Sequence, residues 1–461
     1  MDDGLSERKE LGFRAEDVLF CGHDRQYYFM RKGGDYVGTN ERDISRRLAR
    51  LGFNPYKDTK MGQTLSEIEE KLMDIIEDQR VDYAFPVAGH PVGVLTQGNE
   101  RILITKELPA IEPKEGDWDV LRAFLEGLFN TPDGSCDQIE YVYSWLSRAM
   151  AGLLHMQPNS GQAFIIAGDP DCGKTLVSKL LRMLFGGRVG KPYEYLTGQT
   201  RFNDELFATS LQMVDDEADK TDIRSRRHFV SGIKRFVGAD GSRGEAKGGI
   251  TFEVQPHWRI VIVCNFEEDN LRVLPPLDND VIDKLILLRG YRAEKFPMPV
   301  GTVEEQKEFL ETLISQLPAF MHFLMNEWKI PEALRFDRFG VRSYLNMDIV
   351  HRMDQITPWF ELMLSMENEV LRGDYIWVGT ATDLYGLLRN HSSLTVREKE
   401  RYTVKGIGKH LTKVSGKFPD RCWQDNSTGR HRLWVFISER AERPIEEKGN
   451  VLAKISQYLV H

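Results

Sequence analysis

Between Phe164 and Leu181 the chain reads FIIAGDPDCGKTLVSKLL: an apolar run, a tight turn rich in Gly, Asp and Pro, then Gly-Lys-Thr heading a helical pattern. Gly168, Asp169, Pro170, Asp171, Cys172, Gly173, Lys174 and Thr175 fit the pattern G-x-x-x-x-G-K-[ST] in the strand–turn–helix setting that gives it meaning. In that setting backbone N–H groups at the helix start cradle a β-phosphate. Lys174 neutralises charge on the β and γ oxygens, and the Thr175 hydroxyl ligates magnesium. Gly173 has to be small so that backbone can approach phosphate, and Cys172 reads as a tolerated small residue rather than a redox sensor.

Further on, SLQMVDDEADK supplies an apolar strand ending in Asp215, Asp216 and Glu217. One carboxylate of such a cluster reaches magnesium through water and the next orients the attacking water, with the register among the three open by one position. The run WRIVIVCN then stops at Asn265. An amide at the end of a strand lying between the phosphate-loop strand and the acidic strand senses the γ-phosphate and helps place water. Between the acids and Asn265 lies FVGADGSRGEAKGGITFEVQP, expected to form a hairpin with Arg243 and Lys247 near its tip. Such cations insert between phosphates of a single strand without reading sequence, and a flexible solvated loop is the equal alternative. Taken in order, these parts make the phosphate the γ-phosphate of ATP and the use of its energy a pull on nucleic acid.

The elements that must hold these residues follow from pattern. AFIIAG, ATSLQMVDDE, WRIVIVCN and KLILLRG are short apolar runs separated by helices and loops, which predicts an α/β fold with a mainly parallel sheet. DVLRAFLEGLF and QIEYVYSWLSRAMAGLLHM carry helical spacing ahead of it, after a linker-like PAIEPKEGDW. Upstream, DRQYYFM and RILITKEL alternate as strands do and SEIEEKLMDIIED reads as a helix, giving a small α+β domain. Downstream, EEQKEFLETLISQLPAFMHFLMNEW reads as one or two covering helices. The last unit reads helix, helix, helix and two strands around a polar loop, an order that suits a winged helix. The division expected is 1–112 N-terminal domain, 113–160 helical collar, 161–300 α/β core, 301–344 helical lid, 345–440 winged-helix-like domain and 441–461 tail.

At 461 residues the chain exceeds one ordinary core. With 41% hydrophobic and 28% charged residues it matches the soluble globular average, which argues against global disorder. The five cysteines are scattered with no C-x-x-C pair, so neither a disulfide framework nor a zinc site is indicated. The charged start MDDGLSERKE is unlike a signal peptide and no stretch spans a bilayer, so a cytoplasmic protein of a bacterial or infected host cell, with no membrane partner, is expected. The net charge of −9 decides little about nucleic acid, because phosphate binding depends on local basic surfaces.

With these parts in order, the region from Asp117 to Arg292 resembles the superfamily 3 helicases of viruses, phages and mobile elements, in particular the poxvirus-type and phage primase-helicases. Gly168–Thr175 match motif A, Asp215–Glu217 motif B, Arg243–Lys247 the hairpin of motif B′, and Cys264–Asn265 the end of motif C. The resemblance implies an AAA+ ATPase using ATP and Mg2+, a homo-hexameric ring with nucleotide between subunits, and single-stranded DNA in a central channel. It also implies an arginine donated by the neighbouring subunit, and the matching position holds Lys284, which supplies charge without the planar fork. Arg272, Arg289 and Arg292 are the alternatives. Residues 1–112 are too few for a primase catalytic domain, so a separate primase or polymerase is the expected partner. In the last unit Lys405, Lys409, Lys413 and Lys417, with Arg430, His431 and Arg432 on the following loop, could contact duplex phosphates or form a solubilising face. Two other readings compete with the helicase: an AAA+ initiator or loader using ATP as a switch, and, more weakly, a P-loop kinase of a small molecule.

Overall fold

A computed structural model describes residues 13–57, 64–107, 110–131, 138–215, 223–238, 242–246, 250–271, 273–275, 277, 281–293, 296–336, 338–355, 357–371, 375–390, 402–425 and 432–438. The chain divides into two compact units, Met1–Ile349 and Val350–His461.

The first unit opens with β1 (Leu19–Cys21), β2 (Gln26–Met30), β3 (Tyr36–Thr39), α1 (Glu41–Leu51), α2 (Glu67–Asp78), β4 (Arg80–Val81), β5 (Tyr83–Phe85), β6 (Gly93–Gln97) and β7 (Glu100–Ile104). They form two small sheets, ordered β3-β2-β1-β4 and β5-β7-β6. The helix read at SEIEEKLMDIIED is α2, started by a capping box in which Ser66 and Glu69 satisfy each other's backbone N–H. Sequence reading did not expect α1. Its buried stripe is only Ile44 and Leu48, too narrow to stand out amid the arginines of ERDISRRLARL.

Next come α3 (Asp119–Phe129), α4 (Ile139–Leu154), β8 (Ala163–Gly168), α5 (Lys174–Leu184), β9 (Leu211–Asp215), α6 (Ile223–Gly238), β10 (Ser242–Ala246), β11 (Ile250–Val254), β12 (Arg259–Asn265), β13 (Leu285–Gly290), α7 (Val303–Ser315), α8 (Leu317–His322) and β14 (Tyr344–Leu345). β14, β13, β8, β12 and β9 make one sheet in that order, every pairing parallel. All six residues of β8 are buried, as expected of a parallel strand covered on both faces. The sheet takes its last strand from beyond residue 300, where the expected α/β core ended. The expected collar is likewise part of the core: Leu121, Phe124, Trp145 and Leu146 pack in one cluster with Phe164, Leu181, Leu313 and Phe320. Trp145 stacks on Phe164 with centroids 4.6 Å apart. The linker-like segment is tied down too, by Lys114 N–H to the Pro318 carbonyl at 3.0 Å and by buried Trp118.

The second unit contains α9 (Pro358–Ser365), β15 (Ile376–Gly379), α10 (Ala381–Asn390), α11 (Val404–Lys417), β16 (Cys422–Asp425) and β17 (Leu433–Ile437). Its sheet is antiparallel, ordered β15-β17-β16. Trp359, Leu362, Ile407, Leu411, Val414 and Phe436 form its core. The expected order of three helices and then strands omits β15. IWVG is four residues long, wholly buried and without alternation, so periodicity does not mark it. Among the described residues no helix is long and apolar enough to cross a membrane.

Candidate functional site

The loop after β8 is shaped by backbone that few side chains tolerate. Asp171 has φ 60° and Gly173 φ 106°, both in the left-handed region. A Cβ on Gly168 would lie 2.7 Å from the Gly290 carbonyl oxygen and 2.8 Å from Cys172 Sγ, so β8, β13 and the loop close together only around glycine. α5 starts at Lys174, directly after this turn, and presents the N–H groups that no helix start satisfies internally. Lys174 is buried at 9% exposure, and its Nζ donates to the carbonyls of Gly168 at 2.9 Å and Asp169 at 2.6 Å. Thr175 is exposed beside it, as are Pro170 and Asp171. Cys172 is buried under the loop, and burial raises its thiol above the ordinary value, which keeps it protonated.

Strand register then gathers the remaining residues. Asn265 is the partner of Gly168, and Val263, two residues earlier on β12, is the partner of Asp215. β12 therefore lies between the phosphate-loop strand and the acidic strand, as the sequence predicted. Gly168, Asn265 and Asp215 stand at the carboxyl ends of three neighbouring strands. The Gly168 carbonyl accepts from both Lys174 Nζ and the Phe266 N–H at 3.0 Å, joining the loop to the end of β12. Asp215 is exposed at its strand end, while Asp216 and Glu217 lie outside the described residues.

Arg289, one of the alternatives for donation to a neighbour, is engaged within its own chain. Its guanidinium carbon lies 3.3 Å from the Phe266 ring centroid, and its Nη2 reaches Asp169 Oδ2 at 3.2 Å and Oδ1 at 3.4 Å. Gln138, wholly buried, accepts from the Arg289 N–H at 2.9 Å and donates to the Arg289 carbonyl at 3.0 Å and the Phe129 carbonyl at 2.8 Å. Sequence reasoning missed Gln138 altogether, for its task is to satisfy backbone brought from distant parts of the chain. The pairing of Gly290 with Gly168 explains Arg289's position beside the loop.

Lys284 is not brought to this end of the sheet. It precedes Leu285, the partner of Ala163, which puts it six residues from the Gly290–Gly168 pair, about 20 Å along the strand. Its Nζ pairs with Asp283 at 2.6 Å, and Arg338 pairs with the other Asp283 oxygen at 3.3 Å. Arg292 is exposed and Arg272 lies outside the described residues.

The segment before β12 is a hairpin, β10 against β11, preceded by α6, a helix the sequence reading did not place. Arg243 is not near its tip. It pairs with Glu253 toward the open end, exposed, with Nη2 donating to Thr251 Oγ1 at 3.3 Å. Lys247 lies outside the described residues. Both strands are moored. Asn203 Nδ2 donates to the Arg243 carbonyl at 3.1 Å, and Asn203 Oδ1 accepts from the Glu245 N–H at 2.7 Å. On the other strand Tyr83 of β5 donates its hydroxyl to the Thr251 carbonyl at 3.0 Å, and Phe252 packs on Phe85 and Phe207 with centroids 4.5 and 4.9 Å away.

Residues 166–280 match a family described as a family of unknown function, DUF5906. No curated protein matches the chain. Among solved structures, an A form apo structure of the NrS-1 C terminal region is similar at a TM-score of 0.53 and 12% identity, covering 94% of this chain and 98% of that one. A further apo structure of that region gives 0.52 at 14% identity, covering 95% and 100%. The X-ray structure of JCV helicase gives 0.27 at 16% identity, covering 54% and 65%. The likeness to the NrS-1 region is one of fold, and it runs through nearly the whole of both chains.

Proposed function

We propose that this protein is an ATP-driven translocase of the superfamily 3 type, with an AAA+ core that works on single-stranded DNA in the replication of a phage, virus or mobile element. The observation that carries this reading is the side-by-side placement of Gly168, Asn265 and Asp215 across β8, β12 and β9, with Lys174 behind the loop. A loop turned by Asp171 and Gly173 in the left-handed region at a helix start, and a buried ammonium resting on loop carbonyls, fit a polyphosphate.

In this reading Lys174 exchanges its carbonyl partners for β and γ oxygens, and loop N–H groups hold the β-phosphate. Thr175, Asp215 and Asp216 would hold magnesium, which when bound offsets charge on the phosphate oxygens. Glu217 orients water for in-line attack and Asn265 holds that water against the γ-phosphate. Because Phe266 N–H and Lys174 share the Gly168 carbonyl, a change in what Lys174 contacts is felt at the end of β12.

The subunits assemble as a hexameric ring with the hairpins toward a central channel, which would let an acidic chain hold DNA. Lys284 completes the neighbour's site. Mixing Lys284→Ala subunits with Asp216→Ala subunits should then restore part of the ATPase activity that each lacks alone, since some interfaces in a mixed ring carry both residues. Absence of recovery would remove Lys284 from the site in favour of Arg292 or Arg272. The second unit is read as a winged-helix domain, and any primase or polymerase activity as residing on another chain.

The initiator or loader reading shares this active site and differs at the hairpin. In Lys247→Ala, ATP hydrolysis should persist while strand unwinding on a forked substrate falls at least about tenfold. Unwinding that survives together with hydrolysis sinks the translocase reading.

A further inference from the structure

The sequence pattern places Lys405, Lys409 and Lys413 along one face of α11 with Lys417 at its end, and the structure sets Lys417 apart from the first two. Lys417 pairs with Asp354 and its Nζ lies 5.4 Å from the Trp359 ring centroid, turned to the body of the unit. Lys405 and Lys409 instead line a cavity of about 440 Å³ together with Thr412 of α11, Thr382 of α10, Gln424 of β16 and Arg432. The cavity is built by close approach of two helices: a Cβ on Gly408 would lie 3.9 Å from the Ala381 Cβ at the head of α10.

Its chemistry is one-sided. Three cations, three threonine hydroxyls and an amide line it beside Trp434, and no carboxylate is among the described lining residues. The nearest acid on α10, Asp383, is occupied as a cap, accepting from the Thr380 N–H and hydroxyl at 2.7 Å each. The head of α10 adds the positive end of a helix dipole. His410, next to Lys409, is held below the ordinary imidazole value by burial first and then by Lys413 and Lys409.

We propose that this groove binds consecutive phosphates of a nucleic-acid backbone, giving the second unit a DNA contact separate from the hairpin. Lys405 and Lys409 stand about 6 Å apart along the helix, a spacing that serves a chain of phosphates better than one compact anion. Thr412 donates its hydroxyl to the Gly408 carbonyl and Thr380 to Asp383, which leaves Gln424 and Thr382 as the neutral donors to phosphate oxygens; they carry no base code, so the contact positions without reading sequence.

Labelled single-stranded and duplex oligonucleotides titrated against the full chain by fluorescence anisotropy test this. Lys405→Glu with Lys409→Glu should weaken binding of at least one form tenfold or more and flatten its salt dependence by about two phosphate contacts. Lys405→Arg with Lys409→Arg should retain affinity. The form that loses affinity identifies the source of the phosphates. An unchanged affinity and salt slope for both forms overturns the proposal, as does displacement of the oligonucleotide by millimolar ATP in a Lys174→Ala background, which would make the groove a small-anion site. ATP turnover without DNA should be unaltered by the charge reversal. The groove is thus tested independently of the translocase reading, which Lys174 and Lys247 test.

Discussion

Lys174→Ala is expected to lower ATP turnover about a thousandfold or more while the chain stays folded. The side chain is short of alternatives: it lies buried behind the loop, bonded only to backbone carbonyls and the neighbouring Cys172 sulfur among its described contacts. Arg289, beside the loop on β13, is already engaged by Phe266 and Asp169. Removing a positioned charge from a desolvated phosphate site typically costs two to three orders of magnitude in rate, and positive groups on a transferring phosphoryl can be worth more. Folding should survive because the buried Gly168 carbonyl keeps its bond from the Phe266 N–H and Asp169 is only half-buried, so water can replace the ammonium there. Phosphate release at saturating ATP reads the loss, and an unchanged circular dichroism spectrum and melting curve separate it from unfolding. Turnover comparable with the unaltered protein would remove the active-site assignment altogether.

Trp145→Ala should be the most destabilising single truncation near the site, at about 3–5 kcal/mol. The indole is 1% exposed, stacked on Phe164 of β8, and its Nε1 donates to the Gln162 carbonyl at 2.8 Å. Truncation would therefore open a cavity beneath the phosphate-loop strand and orphan a buried carbonyl at its start. The expected result is a large fall in the denaturation midpoint of the first unit with the midpoint of the second unaltered, followed by tryptophan-independent probes in each. Trp145→Phe, which keeps most of the volume and loses the hydrogen bond, should recover more than half of the deficit. If alanine costs less than about 1 kcal/mol, α4 is not the floor of the sheet that the packing makes it.

Much of this site was legible because its signals are local. Phosphate-loop geometry requires a small residue at Gly168 and Gly173 and a helix starting at Lys174, and all of that lies within one short stretch. Parallel strands buried on both faces leave unbroken apolar runs, so β8, β9, β12 and β13 could be read, and the motif order placed β12 between its neighbours. What could not be read is what arises between distant segments. Gln138 looks like one more polar residue before a helix until β13 and Phe129 are folded around it. Arg289 is one of several arginines until Gly290 pairs with Gly168. Segments with weak periodicity were lost for the opposite reason: α1 has too narrow a stripe and β15 is too short. The hairpin was anticipated from its glycines and charges, but the strand register, which sequence does not display, moved Arg243 from the tip toward the base.

The mooring of that hairpin has a mechanical meaning. Thr251 and Phe252 are held by β5 near the amino terminus, and Arg243 and Glu245 by Asn203 from the loop before β9, so both legs are anchored by different parts of the chain. A load applied at the tip is borne as by a bracket with two footings, and the first hundred residues are one of them. In the proposed translocase their task would be stiffness at the point where force leaves the motor, supplied by aromatic rings packed against one leg of the hairpin.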